Sequence, residues 1–464
     1  MLIVLCYFPL VLYIIFHKSS SDVVTLPPVN WDFQQFAEGN FEGILTNSCN
    51  NGHGSKDHIA SGDTNWLRNT GNVKSNSPNQ EFPPSVRKAT NLDDTTDKKV
   101  HQLFLISVGP RKGAVCLDGS PPGLYLRKGS GSGKSKWTIF FQGGAWCHDA
   151  ETCYQRSGTA LGSSRCYGRY LSKVEGLLSN EAKYNPGFFN WTSVFFPYCD
   201  GASFSGNRAK PLKFKKKLLY FRGHRIMDVL LDELLQRGIG NASEIILAGR
   251  SAGALSAIIH ADYIRSRLRS VTNASFRVLS DAGFFLDEPS LNGSKIARSV
   301  FQQMYSLHNS STGLNQACLR AQKRQYKWRC FFPQYSLPFL SSPIFLVNSL
   351  NDLWQLAVFS NIPCVVKVKT CHSKELRFLA KFRKKTLHAL RSVFDSRKTA
   401  IFADACLAHT QCAMNDYWTQ IEVENISIAQ AFSDWYRERE QNRFMIDPLS
   451  YSRNPTCPKR YHWR

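Results

Sequence analysis

Acidic side chains are scarce in this sequence: 35 Asp and Glu stand against 58 Lys and Arg, giving a formal net charge of +23. A deficit of that size points to an acidic partner, whether polysaccharide, nucleic acid or anionic lipid. A long apolar run is also missing. Met1–Phe16 is apolar but ends at His17 and Lys18, short of the roughly 20 residues of a membrane span and suited to the core of a signal peptide. No basic stretch precedes it, and Ser19, Ser20 and Ser21 are the small residues near a cleavage point. A signal anchor is the alternative, but no stable membrane span is expected. No C-x-x-C pair occurs, which weakens a zinc reading, and no internal repeat is visible.

Cysteine itself is plentiful. Of 14, Cys6 lies in the apolar run and Cys49 in a polar stretch, leaving twelve between Cys116 and Cys457. An even number spread through the part that reads as folded predicts disulfides and an oxidising compartment. Sequons at Asn190, Asn241, Asn273, Asn292, Asn309 and Asn425 agree with secretion. An extracellular location argues against nucleic acid as the partner.

Residues 1–18 read as signal peptide and 19–100 as a polar disordered tail or linker, rich in Ser, Asn, Asp, Gly and Thr. From 101 to 464 the texture changes to a catalytic domain. Short apolar runs at Trp137–Phe141, Ser193–Phe196, Glu244–Ala248, Phe276–Leu279 and Pro343–Asn348 read as strands buried on both faces. Helical patterns follow at Phe221–Gly238, Ala252–Leu268 and Lys374–Phe394. The alternation implies an α/β-hydrolase-like, doubly wound, mostly parallel sheet with long decorating loops.

The sharpest local signal is Gly249-Arg-Ser-Ala-Gly253, fed by the run ending at Ala248 and followed at once by a helical stretch. Strand, tight turn and helix make a nucleophile elbow, with Ser251 held clear of the sheet and the Ala252 amide at a helix start. A serine needs a base within hydrogen-bond reach, and in this fold the order is Ser, then Asp or Glu, then His. Asp352 lies just past the fifth apolar run, at the edge where catalytic groups gather in such sheets. His409 follows the run Ala400–Ala403 and sits between Cys406 and Cys412, where a disulfide could hold its loop. Asp404 and Asp281 are reserve acids, Asp281 more as a structural residue. His260, on the nucleophile's own helix, reads as a packing or surface residue, and His388 as a solvated one. Gln142–Cys147, with Gly143 and Gly144, supplies a second loop whose amides can approach an oxyanion.

Together these segments resemble the pectin acetylesterase family, whose animal branch includes the Notum carboxylesterases. The resemblance rests on Ala114–Tyr125, Gly143–Cys147, Phe189–Trp191, Tyr198–Gly206, Gly249–Gly253, Ser280–Asp287, Cys330–Gln334, Asp352–Gln355 and Ala408–His409. It implies Ser251 as nucleophile, Asp352 as acid and His409 as base, with the amides of Gly144, Ala145 and Ala252 as oxyanion donors. It also implies hydrolysis of O-acyl esters with neither metal nor organic cofactor. Tyr198–Gly206, Ser280–Gly283 and Asp352–Gln355 are closer to the plant-type branch, and Ala145 stands where Notum proteins carry a large aromatic. Arg250, Ala261 and Thr410 stand where plant members have cysteine, with Cys412 as a replacement for the last. Cys147–Cys153 and Cys318–Cys330 are the pairings expected from their short loops.

Lys210–Lys217 and Lys374–Arg391 concentrate positive charge. Such runs are most often solvated surface, and they are also where an acidic glycan would be held. The expected activity is a secreted serine carboxylesterase acting on O-acetyl esters of pectin or another extracellular polysaccharide. A Notum-like deacylase of Wnt and an inactive glycan-binding homologue are the alternatives.

Overall fold

The structure, a computed structural model, describes residues 100–458 apart from 172–173, 368, 394–397, 440–441 and 451–452. The signal peptide and, but for Val100, the polar segment expected before residue 101 lie outside the described residues. Nine strands form one sheet: β1 (Gln102–Leu105), β2 (Gly123–Arg127), β3 (Lys136–Phe141), β4 (Thr192–Phe196), β5 (Glu244–Arg250), β6 (Ser275–Asp281), β7 (Ile344–Val347), β8 (Thr399–Ala403) and β9 (Phe444–Ile446). Their order is β1-β2-β4-β3-β5-β6-β7-β8-β9. The pairs β1–β2 and β2–β4 are antiparallel, and the pairs from β4–β3 through β8–β9 are parallel.

Each central strand shares its side chains between two cores, as the two-residue period of a strand requires. Ile139 and Phe141, Ile245 and Leu247, and Ile344 and Leu346 face one layer; Phe140, Ile246, Ala248, Phe345 and Val347 face the other. The first layer is covered by α2 (Gly223–Gln236), α3 (Ala252–Arg269), α4 (Ile296–His308) and α5 (Ser373–Arg391), the second by α6 (Ile428–Tyr436). A short α1 (Ala150–Arg156) opens under a capping box in which Asp149 accepts from the Thr152 amide.

Five disulfides brace the loops among the described residues: Cys116–Cys199, Cys147–Cys153, Cys318–Cys330, Cys364–Cys371 and Cys406–Cys457. Cys166 is disulfide-bonded as well. The twelve cysteines therefore do not all pair among themselves, as their even number suggested: Cys166 and Cys412 are not joined to each other. Cys412 is a free, buried thiol, and Cys406 pairs across 51 residues with Cys457 rather than within the histidine loop. The reason is local: the Cys412 amide donates to Asp281 at 2.8 Å, which fixes this residue beside β6 and away from Cys406.

Candidate active site

Parallel neighbours send their following loops out side by side. Phe141 of β3 lies opposite Gly249 of β5, so the loop Gln142–Cys147 and the elbow at Ser251 emerge together. Ser251 has φ 54° and ψ −126°, a conformation rarely adopted by side-chain-bearing residues. Its own N–H donates to the carbonyl of Asp281 at 2.8 Å, which pins the turn to β6. The glycines are required by close approach. A Cβ on Gly253 would lie 2.3 Å from the Phe141 carbonyl oxygen, and one on Gly143 would lie 3.0 Å from the Ser251 Cβ.

Asp352 and His409 come from the loops after β7 and β8. The His409 Nδ1 lies 2.9 Å from the Asp352 Oδ2, and its Nε2 lies 2.9 Å from the Ser251 Oγ. All three side chains are buried. With Nδ1–H donating to the carboxylate, Nε2 is left to accept the serine proton. The other Asp352 oxygen accepts from the Gln355 amide at 2.8 Å, which fixes the carboxylate plane. Hydroxyl, imidazole and carboxylate in this order can carry out acyl transfer.

The reserve acids stand elsewhere. The Asp281 Oδ2 accepts from the amides of Gln411 and Cys412 at 2.7 and 2.8 Å. Burial holds its carboxyl above the usual range, against those hydrogen bonds and the nearby His409. Asp404 accepts from the Cys406 amide and the Gln411 side chain, and burial pushes it up to about 7. Both shape the loop that carries His409 without touching its ring. The Cys412 thiol, raised by burial and by Asp281, stays protonated. His260 is buried on α3, with Nε2 3.0 Å from the Ser203 carbonyl oxygen. Exposed His388 lies on α5.

Gly144 and Ala145 have φ 133° and 47°, turning their backbone sharply beside the elbow. Buried Arg156 donates to the Gly144 carbonyl at 2.7 Å, and the Tyr198 hydroxyl donates to that of Ala145 at 2.9 Å. With the two carbonyls held from behind, the peptide units of this loop are fixed. Trp146 packs against Phe285 and Phe301 at 4.9 Å, Trp354 at 5.7 Å and Phe359 at 6.2 Å between ring centroids. Trp354 also stacks on His409 at 5.9 Å. Neither this aromatic group nor the roles of Tyr198 and Ser203 follow from the sequence motifs. The signal available was the Asp-Leu-Trp-Gln spacing, which sets Trp354 two residues after the acid.

The thiols of Cys147 and Cys153 lie close to His308, yet they are bonded to each other and offer an ion no thiolate.

A family model described as pectinacetylesterase matches residues 94–458. The chain belongs to the pectinacetylesterase family. It is 35% identical to pectin acetylesterase 5 of Arabidopsis thaliana over 82% of this chain and 90% of that one. It is 29% identical to the human palmitoleoyl-protein carboxylesterase NOTUM, over 78% of this chain and 73% of that one. The solved structure of the Wnt deacylase Notum from Drosophila superposes with a TM-score of 0.68 at 27% identity, covering 77% of this chain and 99% of that chain. This pectinacetylesterase-family member is a carboxylic ester hydrolase with an α/β-hydrolase-like sheet. Among the described residues, no helix is long and apolar enough to cross a membrane.

Proposed function

We propose that the chain is a secreted serine carboxylesterase that removes O-acetyl groups from pectin or another extracellular polysaccharide. The observation that carries this reading is the line Ser251–His409–Asp352, with both contacts at 2.9 Å. Ser251 attacks the ester carbonyl while His409 takes its proton, and Asp352 orients the imidazole and stabilises its cation. The amides of Gly144, Ala145 and Ala252 receive the oxyanion. His409 returns the proton to the departing alcohol; water then attacks the acyl-serine through the same base and releases the acid.

Two features favour a short acyl group. Ala145 leaves a small side chain beside Ser251, and buried Trp146 fills the adjoining space together with Phe285, Trp354 and Phe359. The relatives named pectin acetylesterases are also more similar than those named palmitoleoyl-protein carboxylesterases. Deacylation of a longer, protein-linked chain is the second reading, favoured by the likeness to the Drosophila Notum structure over 99% of that chain. For secretion, the support is the disulfide content and exposed sequon residues at Asn241, Asn273, Asn292, Asn309 and Asn425. The basic clusters Lys210–Lys217 and Lys374–Arg391 suit retention on an acidic polymer.

Wild type and Ser251→Ala, assayed on p-nitrophenyl acetate and p-nitrophenyl octanoate, test the reading. Turnover of acetate by wild type alone supports it, and a preference for octanoate moves the second reading forward. Folded wild type no more active than the variant on either ester overturns the nucleophile assignment.

A further inference from the structure

The two basic clusters differ once their surroundings are known. Lys215, in the hairpin formed by Leu212–Phe214 and Lys217–Leu219, pairs with Glu151 at 2.7 Å and lies over the Tyr154 ring at 4.9 Å. Lys217 lies over the same ring at 5.2 Å. Part of this cluster's charge is already engaged within the chain.

Helix α5 is different. Glu375, Leu379, Phe382, Thr386 and Leu390 form its buried face. Lys374, Arg377, Lys381, Lys384, His388 and Arg391 recur at alternating intervals of three and four and are all exposed. At 100° per residue this row lies opposite the buried face, and at 1.5 Å per residue it runs for about 26 Å. Among the described residues none of the six has an acidic partner; the ion pair on this helix joins Lys385, outside the row, to Glu288. A solvated helix face ordinarily mixes both signs, whereas like charges at these spacings weaken a helix. Arg383, mid-helix, donates to the carbonyls of Asp447 at 2.6 Å and Leu449 at 2.8 Å, just beyond β9. This ties the helix to the sheet edge from which the loops of Asp352 and His409 emerge.

We infer that the exposed face of α5 is a docking track for a linear polyuronate, a chain carrying one carboxylate per sugar, laid along the helix. A straight row holding five Lys and Arg side chains and no acidic one matches a linear polyanion rather than a compact ligand. The choice of a uronate polymer rests on the polysaccharide reading above; the row of cations does not.

The test measures binding of Ser251→Ala protein to immobilised polygalacturonate, so that retention is read independently of turnover. In that background, one variant carries Lys374→Gln, Arg377→Gln, Lys381→Gln and Lys384→Gln. A charge-matched control carries Lys210→Gln, Lys213→Gln, Lys216→Gln and Lys217→Gln, and thermal unfolding confirms that both fold. The α5 variant is expected to lose about tenfold or more in affinity at about 0.1 M salt, and the hairpin control less than about threefold. Equal losses in the two variants, an unaffected α5 variant, or equal retention by the neutral, fully methyl-esterified polymer would each overturn the inference. Absence of esterase activity in wild type, with retention intact, would instead count against the catalytic reading.

Discussion

The Ser203 hydroxyl donates to the carbonyl of Ala252 at 2.8 Å and accepts from the Trp146 indole at 2.8 Å. One side chain thus joins the glycine loop to the start of the helix after Ser251. Tyr198 adds a second brace, accepting from the Ser203 amide at 2.9 Å and donating to the Ala145 carbonyl at 2.9 Å. The amides of Ala145 and Ala252, proposed to share the oxyanion, are held in register by these two residues. Ser203→Ala is expected to lower kcat by about 10-fold to 100-fold with KM little changed, less than the loss of an oxyanion donor itself. Adding Tyr198→Phe should produce a non-additive further loss, because both substitutions release the same loop. Steady-state kinetics of the cycle check this, and independent, additive losses would argue against a shared brace.

The identity of the acid is open to a direct contrast. Asp352→Asn should cut kcat by about 10³-fold to 10⁴-fold, since an amide no longer stabilises the imidazolium or fixes its tautomer. Asp404→Asn, which leaves the histidine ring's contacts intact, should stay within about tenfold of wild type. A reversal of that order would move the acid to Asp404.

Stability should carry the mark of Asp404 as well. Its carboxyl titrates near 7 in the fold against 3.8 when unfolded. Between those values the native state keeps a proton that the unfolded chain has lost, so the group's contribution is complete below about 4 and disappears as pH rises through about 7. Asp404→Asn removes this term, and the variant's Tm relative to wild type should climb across that interval. A Tm difference independent of pH would show that Asp404 is already ionised in the fold.

Trp146 sets the third contrast. Trp146→Ala should cost about 3–5 kcal/mol, because the surrounding rings are too rigid to close the gap. In the folded fraction, the ratio of octanoate to acetate turnover should rise. An unchanged ratio would mean that the acyl chain leaves Ser251 in another direction.

Cys406→Ser should lower stability by about 2–4 kcal/mol through loss of a bond closing a long loop. Cys412→Ser should cost less, since its thiol bridges nothing. Urea denaturation of both variants decides this, and equal losses would reveal an unexpected role for Cys412.

The centre of the sheet was legible because parallel strands buried on both faces must be short apolar runs, as at Trp137–Phe141 and Glu244–Ala248. Strand β1, at one edge, carries no such run: Gln102–Leu105 is only partly covered, and its pattern is that of an ordinary edge. The elbow could be read because Gly249 and Gly253 leave few other meanings for strand, turn and helix. Asp352 and His409 were reached by chain order and by position after apolar runs. Long-range pairing left no such trace. Nothing local tells Cys406 to reach Cys457 instead of Cys412 six residues away, and the tie from Ser203 to Ala252 exists only after folding.

That bond to Cys457 also sets two cysteines in competition for Cys406. Translation delivers Cys406, His409 and Cys412 together, roughly 50 residues before the correct partner exists. Until then the two early thiols are each other's nearest competitors, and a hairpin link between them would draw the histidine loop off β6. Protection comes from the Asp281 carboxylate, which claims the Cys412 amide once β6 has joined the sheet. A Cys406–Cys412 link would have to give up that contact, so the native pairing and the seating of the histidine loop on β6 depend on one another.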